Sequence, residues 1–260
     1  KDCGSIDSSH LEELLGNSTE KTLVSLMHIN NEIGNMLDLD KVSNICIQYN
    51  ALFHSDTVQS IGHYDIDLSK TKIDFIVASA HKFHGPKGVG FAYINKLSSL
   101  RPLIFGGTQE RGYRAGTESI HNIVGMSKAL NISISNLDKE SKYVHDLKEH
   151  FIAKLKSSII GVKFNGFSGD IKKSTYTLIN VQFPLEKSNG ELFLFKLDLK
   201  GIACSKGSAC QSGTDLGSHV LKEVLTKNDL NNVSIRFSLS IYNTKEQIDI
   251  VVDEINNLLG

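Results

Sequence analysis

The segment 79–90 places a lysine, Lys82, next to Ser79 and His81 and ahead of a glycine-rich stretch. The preceding apolar residues, 74–79, are typical of a strand, so Lys82 is expected at the carboxyl end of that strand. Ligands of α/β sheets bind at this end, and a lysine there can form a Schiff base when a partly desolvated pocket lowers its pKa. A surface lysine in a basic turn explains this segment equally well.

A second polar cluster begins at the end of an earlier predicted strand, residues 51–55. His54 and Asp56 share one face at a spacing of two, and Gln59 follows. The carboxylate and the glutamine could hold a protonated ring nitrogen and a phenolate oxygen. Pyridoxal 5'-phosphate (PLP) carries both groups and needs an acid partner at its ring nitrogen to act as an electron sink. Capping of the next turn is the commoner role for a lone aspartate.

Two further segments give weaker signals. Residues 106–117 combine four glycines with Arg111, Arg114 and Thr117, a composition typical of an anion-binding loop. Residues 30–34, with the sequence Asn-Asn-Glu-Ile-Gly, indicate a turn when taken alone.

Cys210 lies in a run of small polar residues, which predicts an exposed and mobile thiol. Such a thiol suits a nucleophile better than a core residue. Cys46, on the apolar face of a predicted helix, is expected to be buried and structural. Cys204 ends a predicted strand, 201–204, and is expected to pack rather than react. A zinc site is disfavoured, because the cysteine spacing of six fits structural zinc poorly. The four ligands of such a zinc site would have to be Cys204, Cys210, His81 and His84.

The elements that must position these residues alternate between strands and helices in the first half of the chain. Strands are predicted at 23–29, 51–55 and 74–79, with an amphipathic helix over 38–49 between the first two. This order is typical of βαβ units with a parallel sheet. A fourth strand, 89–94, follows a link too short for a parallel crossover, so it is predicted to be antiparallel or at an edge.

The pattern of strands and helices in the second half of the chain predicts a smaller α+β domain after a long helix. The helix covers about 119–155 and is interrupted near Asn136. The domain boundary is placed at residue 137. The elements predicted beyond the helix are strands at 162–164, 177–183 and 234–240 and helices at 190–199 and 244–259.

Composition excludes several classes of protein. The chain has 28 Lys+Arg and 29 Asp+Glu, a net charge of −1, which argues against binding driven by nucleic-acid phosphates or by an anionic membrane surface. No apolar run approaches the ~18 residues of a membrane span. The four irregularly spaced cysteines indicate a reducing compartment rather than a disulfide scaffold, and we expect a cytoplasmic protein or one of an organellar matrix.

The motifs taken together resemble the PLP-dependent cysteine desulfurases of the class V aminotransferase family, in particular their group I, NifS/IscS-like branch. The resemblance runs from about Gly4 to the end of the chain and rests on the order of six motifs. They are Asn30–Gly34, Asp56–Ser60, Ser79–Gly88, Gly106–Thr117, Gly207–Ser212 and Ser234–Ser238.

The resemblance implies roles for the residues near the cofactor ring. Lys82 carries the Schiff base and moves protons, and Asp56 pairs with the pyridine nitrogen. Gln59 and Asn31 contact the ring oxygen, and Asn31 lies near the substrate.

The resemblance also implies where phosphate, substrate and sulfur are handled. Ser79 and His81 bind the phosphate, and Thr117 binds it from the partner subunit of a homodimer. Arg236 holds the α-carboxylate of L-cysteine, for which its planar fork is suited. Cys210 attacks the substrate sulfur and carries a persulfide to an acceptor such as an iron–sulfur scaffold protein. Cys210 is also the one residue at which contact with a cluster metal is implied, and no other metal site is expected.

The implied fold is aspartate-aminotransferase-like. Residues 1–137 are expected to form the C-terminal portion of a PLP-binding large domain with a mixed, mostly parallel sheet, and 138–260 the small α+β domain with the cysteine loop. The family's phosphate-binding loop and the histidine that stacks on the PLP ring are not found among these residues, so the chain is expected either to begin inside a mature domain or to be a fragment. Other PLP enzymes of this fold, an aminotransferase or a selenocysteine lyase, and a non-catalytic sulfur carrier or scaffold-binding fragment remain alternatives.

Overall fold

The computed structural model describes residues 3–96, 100–206 and 217–260. These residues form two compact units. One unit consists of Ser8–His28 and Asp38–Leu137. The other consists of Asp138–Gly260 together with two earlier pieces, the N-terminal residues through Asp7 and the segment Ile29–Leu37. The second unit therefore takes its Asn30–Gly34 turn from a point in the chain far upstream of its other elements.

The first unit is built on a mixed sheet. Its elements in chain order are α1 (Ser8–Gly16), β1 (Leu23–Met27), α2 (Leu39–Gln48), β2 (Leu52–Asp56), β3 (Phe75–Ser79), β4 (Gly90–Ile94) and α3 (Ile120–Ser135). The strands lie side by side in the order β1-β2-β3-β4. β1, β2 and β3 are parallel, and β4 pairs with β3 in the antiparallel sense, as its short link predicts.

Local sequence explains why α2 forms between the first two strands. The side chain of Asp38 accepts a hydrogen bond from the amide of Lys41, which caps the start of the helix. The buried face includes Val42, Ile45 and Cys46, at the three- and four-residue spacing of one helix side. This crossover helix lets β1 and β2 run parallel, so their carboxyl ends reach the same edge of the sheet.

The second unit is organised around an antiparallel sheet in the order β5-β6-β7. Its elements are α4 (Leu137–Ser158), β5 (Lys163–Phe164), β6 (Leu178–Glu186), α5 (Gly190–Leu199), α6 (His219–Val224), β7 (Asn232–Ser238) and α7 (Lys245–Leu259). Aromatic contacts join helix to sheet: Phe151 of α4 meets Phe237 of β7 edge-on, and Phe193 of α5 packs against Phe183 of β6.

One prediction for this unit is wrong, and one of its helices is not predicted by the sequence. Residues 201–204 do not form a strand; among the described residues of this stretch, the pairing with β7 is an isolated bridge between Ser205 and Arg236. The sequence does not predict the helix α6, since its six residues are too few to show a periodic pattern. It begins where the side chain of Ser218 accepts a hydrogen bond from the amide of Leu221.

A lysine lies in the core of the second unit. Lys148 of α4 is 0% exposed, and its Nζ donates to Ser174 Oγ and to the Thr175 carbonyl, both at 2.7 Å. Burial lowers the pKa of Lys148 to about 7, although the charge of Asp170 acts in the opposite direction. The uncharged amine has two hydrogens, which match its two acceptors.

We expect Lys148 to make stability increase with pH. Its pKa of about 7 in the folded chain lies below the ordinary 10.5, so between these values the unfolded chain binds more protons. The free energy of unfolding should therefore rise by up to ~1.4 kcal/mol per pH unit in that window. Urea unfolding of the full-length protein and its Lys148→Met variant should give profiles that diverge with pH. Parallel profiles would contradict the depressed pKa.

Candidate active site

The turn that carries Lys82 follows β3 directly. Residues Ala80–Phe83 form one turn of 3-10 helix, held by the burial of Ala80 and Phe83. His84 ends the turn in the left-handed region, with φ of 63°, and its amide donates back to the Ala80 carbonyl. Lys82 is exposed. The turn thus fixes the backbone of Lys82 at the carboxyl end of the strand and leaves its side chain accessible.

Two candidate phosphate ligands lie beside this lysine. Ser79 is the last residue of β3, and its Oγ is 2.9 Å from Nδ1 of His81, close enough for a hydrogen bond. His81 is exposed. One of these two groups donates to the other, and the remaining O–H or N–H of the pair can donate to an anion.

Asp56 lies at the same edge of the sheet. It is the last residue of β2 and is paired in register with Val77 of β3. Its Oδ1 accepts from the amide of Val58 at 2.9 Å, which is the turn-capping role considered from the sequence. Gln59 follows in the same turn and is half-buried. His54, which shares a face with Asp56, instead forms a hydrogen bond with Ser25 of β1, at 2.8 Å.

The other unit brings Arg236 and Asn31 together. Arg236 lies in β7, and one guanidinium nitrogen donates to the Asn31 carbonyl at 2.7 Å. The backbone of Arg236 is paired with Ser205 in both directions, at 2.7 and 3.1 Å. The predicted cofactor and substrate residues therefore fall into two groups, one in each unit.

Several hydrogen bonds fix the turn that contains Asn31. The Oδ1 of Asn30 accepts from the amides of Glu32 and Ile33, at 2.9 and 3.0 Å. Asn35 donates to the Cys3 carbonyl and accepts from the amide of Phe167. Because these contacts come from distant parts of the chain, the Asn31 carbonyl is a fixed partner for Arg236.

Glu32 is a residue that the sequence did not single out. It is 1% exposed, and its carboxylate accepts from the Ser218 hydroxyl at the start of α6. Its backbone carbonyl accepts from Nδ2 of Asn180, the residue of β6 that faces Arg236. No periodic pattern marks such a residue; a carboxylate inside a motif otherwise made of amides and apolar residues is the one signal available.

The cysteines differ in their surroundings. Cys210 lies outside the described residues, so its predicted role stays a prediction. Burial raises the pKa of the Cys204 thiol to about 11, and the charge of Asp198 adds to the effect. Lys206, the last described residue before the segment of Cys210, forms an ion pair with Glu191 of α5. Part of its charge is therefore compensated.

Thr117 lies in the first unit, exposed, in the irregular stretch after a 3-10 turn at Glu110–Gly112. Arg111 in that turn has φ of 54°, a left-handed conformation that only a few per cent of non-glycine residues adopt. The loop is held by its own contacts, including one from the Gly116 amide to Gln109 Oε1.

The described residues contain neither a candidate metal centre nor a candidate membrane span. Within them, no group of three or more His, Cys, Asp and Glu side chains is placed to hold a metal ion. No helix in the same part of the chain is both long and apolar enough to cross a membrane.

Comparison with known proteins agrees with the resemblance seen in the sequence. Cysteine desulfurase IscS of Dictyoglomus turgidum is 38% identical over 256 residues, covering 98% of this chain and 63% of that protein. Putative cysteine desulfurase IscS 1 of Bacillus subtilis (strain 168) is 36% identical, covering 94% of this chain and 63% of that protein. The chain thus spans less than two thirds of the length of these curated relatives.

Solved structures agree with the fold. A NifS-like protein superposes with a TM-score of 0.86 at 33% identity, covering 99% of this chain and 66% of that one. The NifS-like protein from Rickettsia africae superposes with a TM-score of 0.89 at 29% identity, covering 100% of this chain and 68% of that one. The predicted α/β fold is confirmed. Residues 1–251 match the model of the family described as aminotransferase class-V, and the chain belongs to that family.

Proposed function

We propose that the protein is a PLP-dependent L-cysteine desulfurase. One observation carries the proposal: Lys82 is exposed on a turn directly after β3, at the sheet edge where Asp56 ends β2. The names of the similar proteins, cysteine desulfurases of the IscS type, support the same chemistry.

The residues of the first unit fit PLP. The aldehyde of PLP needs an accessible amine, and its pyridine nitrogen needs an acid partner. Its phosphate needs hydrogen-bond donors, such as a hydroxyl or an imidazole. Lys82, Asp56, Ser79 and His81 have these chemistries, and the strand ends place them at one edge. Gln59 would add a donor for the ring oxygen. When bound, PLP supplies an electron sink next to the carbon that loses a proton.

The chain's own residues would then hold and transfer protons and bind the substrate. The Asp56 carboxylate, fixed by the Val58 amide, would hold a proton at the pyridine nitrogen. The amine of Lys82 would take and return protons at the substrate. Arg236 would bind the substrate α-carboxylate, with Asn31 next to it.

The sulfur step balances without an external oxidant. The Cβ–S bond of L-cysteine breaks, and the substrate sulfur forms a bond to the Cys210 sulfur. The carbon skeleton keeps the electrons and takes a proton to become L-alanine, while the transferred sulfur is oxidised to the persulfide level. An acceptor protein, such as an iron–sulfur scaffold or one making a thio-cofactor, would then receive the sulfur.

The direct test is to incubate the full-length protein with PLP and L-cysteine. L-alanine and protein-bound persulfide should form in equal amounts in the first turnover. An aminotransferase would instead form a keto acid, and alanine without persulfide would contradict transfer to a cysteine. A reactive thiol also suits a reducing compartment, so we propose that the protein acts in the cytoplasm or in an organellar matrix.

Arg236→Ala should raise the KM for L-cysteine while PLP stays bound. A charge-assisted contact to a carboxylate is worth about 1.5–3 kcal/mol, so kcat/KM should fall roughly ten- to a hundredfold. Arg101→Ala, an exposed arginine in the first unit, is the control and should leave KM unchanged. Wild-type kinetics in Arg236→Ala would mean that the carboxylate is bound elsewhere.

We also propose that the active unit is a homodimer. Leu103 and Phe105, just before the Gly106–Thr117 loop, are 89% and 81% exposed. Apolar side chains so exposed are typical of surfaces that bind another protein. A second copy covering them would lie next to the loop that carries Thr117.

Mixing two inactive full-length variants, Thr117→Val and Lys82→Ala, should restore activity if subunits share sites. Each heterodimer would keep one of its two sites with both residues intact. Its activity should therefore reach about half of that of the wild-type dimer. Subunits that exchange without regaining activity would contradict the shared site.

A further inference from the structure

The turn after β2 packs directly against the turn that carries Lys82. Gly62 has φ of +84°, and a Cβ built on it would lie 2.6 Å from Cβ of Phe83. Ile61 packs against the apolar cluster of Ala78, Ala80 and Phe83. The turn from Asp56 to Tyr64 and the Lys82 turn are therefore two halves of one packed structure.

One polar contact links these two turns at the lysine itself. Nε2 of His63 lies 2.9 Å from the Lys82 carbonyl oxygen. A carbonyl only accepts hydrogen bonds, so Nε2 carries the proton and donates. Burial lowers the pKa of His63, and the neighbouring His84 also lowers it, while the bond to Lys82 acts in the opposite direction.

This contact has a clear structural purpose. Carbonyls in the last turn of a helix lack partners within the helix, and Lys82 is in the one short turn Ala80–Phe83. The imidazole of His63 supplies a donor to its carbonyl. His63 thereby ties the backbone of Lys82 to the turn that begins with Asp56 and contains Gln59.

We infer that His63 is a positioning residue for the reaction: by donating to the Lys82 carbonyl it fixes the point from which the lysine amine reaches the cofactor. The inference rests on the proposed function. It assigns to His63 no contact with substrate or cofactor, so its effect should fall on the lysine step and not on L-cysteine binding.

The test compares His63→Leu, which removes the donor, with His63→Gln, whose side-chain amide can replace Nε2. Full-length proteins are loaded with PLP, and the Lys82-linked cofactor is counted by borohydride trapping. In His63→Leu, kcat per trapped site should fall about three- to tenfold, the effect of one lost hydrogen bond, with KM unchanged. His63→Gln should return most of the rate. His10→Leu, an exposed histidine of α1, is the matched control.

A role limited to folding would reduce the number of trapped sites without changing kcat per site, and that result would overturn the inference. Wild-type kcat per site in both His63 variants would overturn it too. A second measurement needs no desulfurase activity. The rate at which PLP attaches to Lys82, followed by trapping at successive times, should slow in His63→Leu and recover in His63→Gln. If the wild-type protein binds PLP but forms no alanine, the proposed function fails while this measurement still decides the role of His63.

Discussion

Replacement of Lys82 by alanine should abolish the borohydride-reducible attachment of PLP to the full-length protein. Lys82 is an exposed amine on a turn whose neighbours Ala80 and Phe83 are buried, so truncation removes the amine without disturbing the turn's packing. The lysine also moves protons, and a positioned general acid–base contributes about 10²–10⁴-fold to a rate. Alanine formation should therefore fall by at least about a hundredfold.

A neighbouring lysine provides the control for this experiment. Lys87 is exposed and lies five residues further along the same segment. Lys87→Ala should keep both the reducible attachment and the rate of alanine formation. Undiminished trapping of PLP in Lys82→Ala, or its loss in Lys87→Ala, would assign the attachment to a different lysine.

The sequence predicted those parts of the fold that have local causes. The break between α3 and α4 near Asn136 and the antiparallel β4 follow from a polar interruption and from a link too short to cross over. The predicted ring and phosphate residues from Asp56 to Lys82 lie at or just after strand ends, and strand ends are visible as apolar runs; Thr117, in a loop, has no such signal. Asp56 and Ser79 are therefore placed by β2 and β3 themselves.

The contacts that hold the site together could not be predicted in this way. Glu32 meets Ser218 across 186 residues, and His63 meets Lys82 across 19. Neither pair leaves a periodic or compositional trace, because a hydrogen bond depends on where two distant segments meet. The absent strand at 201–204 has the same cause: its apolar residues suit a strand, but in the part of this stretch that the structure describes the pairing with β7 is one bridge, at Ser205.

Replacement of Cys210 by serine should stop sulfur transfer while PLP and L-cysteine still bind. A serine hydroxyl is not ionised at neutral pH and is a far weaker nucleophile than a thiolate. Alanine formation should fall by at least about a hundredfold, and no protein persulfide should form. Mass spectrometry of the intact protein after a single turnover would detect the added sulfur atom in the wild type only.

Cys204 is the matched control because it lies six residues away and its state is defined by the structure. Its thiol is partly buried, with a pKa raised to about 11, so it stays protonated and unreactive at neutral pH. Cys204→Ser should therefore form alanine and persulfide at the wild-type rate. The two variants separate the candidate nucleophile from a packing cysteine of the same segment. Persulfide in Cys210→Ser together with its loss in Cys204→Ser would move the nucleophile to Cys204, and wild-type rates in both would place sulfur transfer on neither thiol.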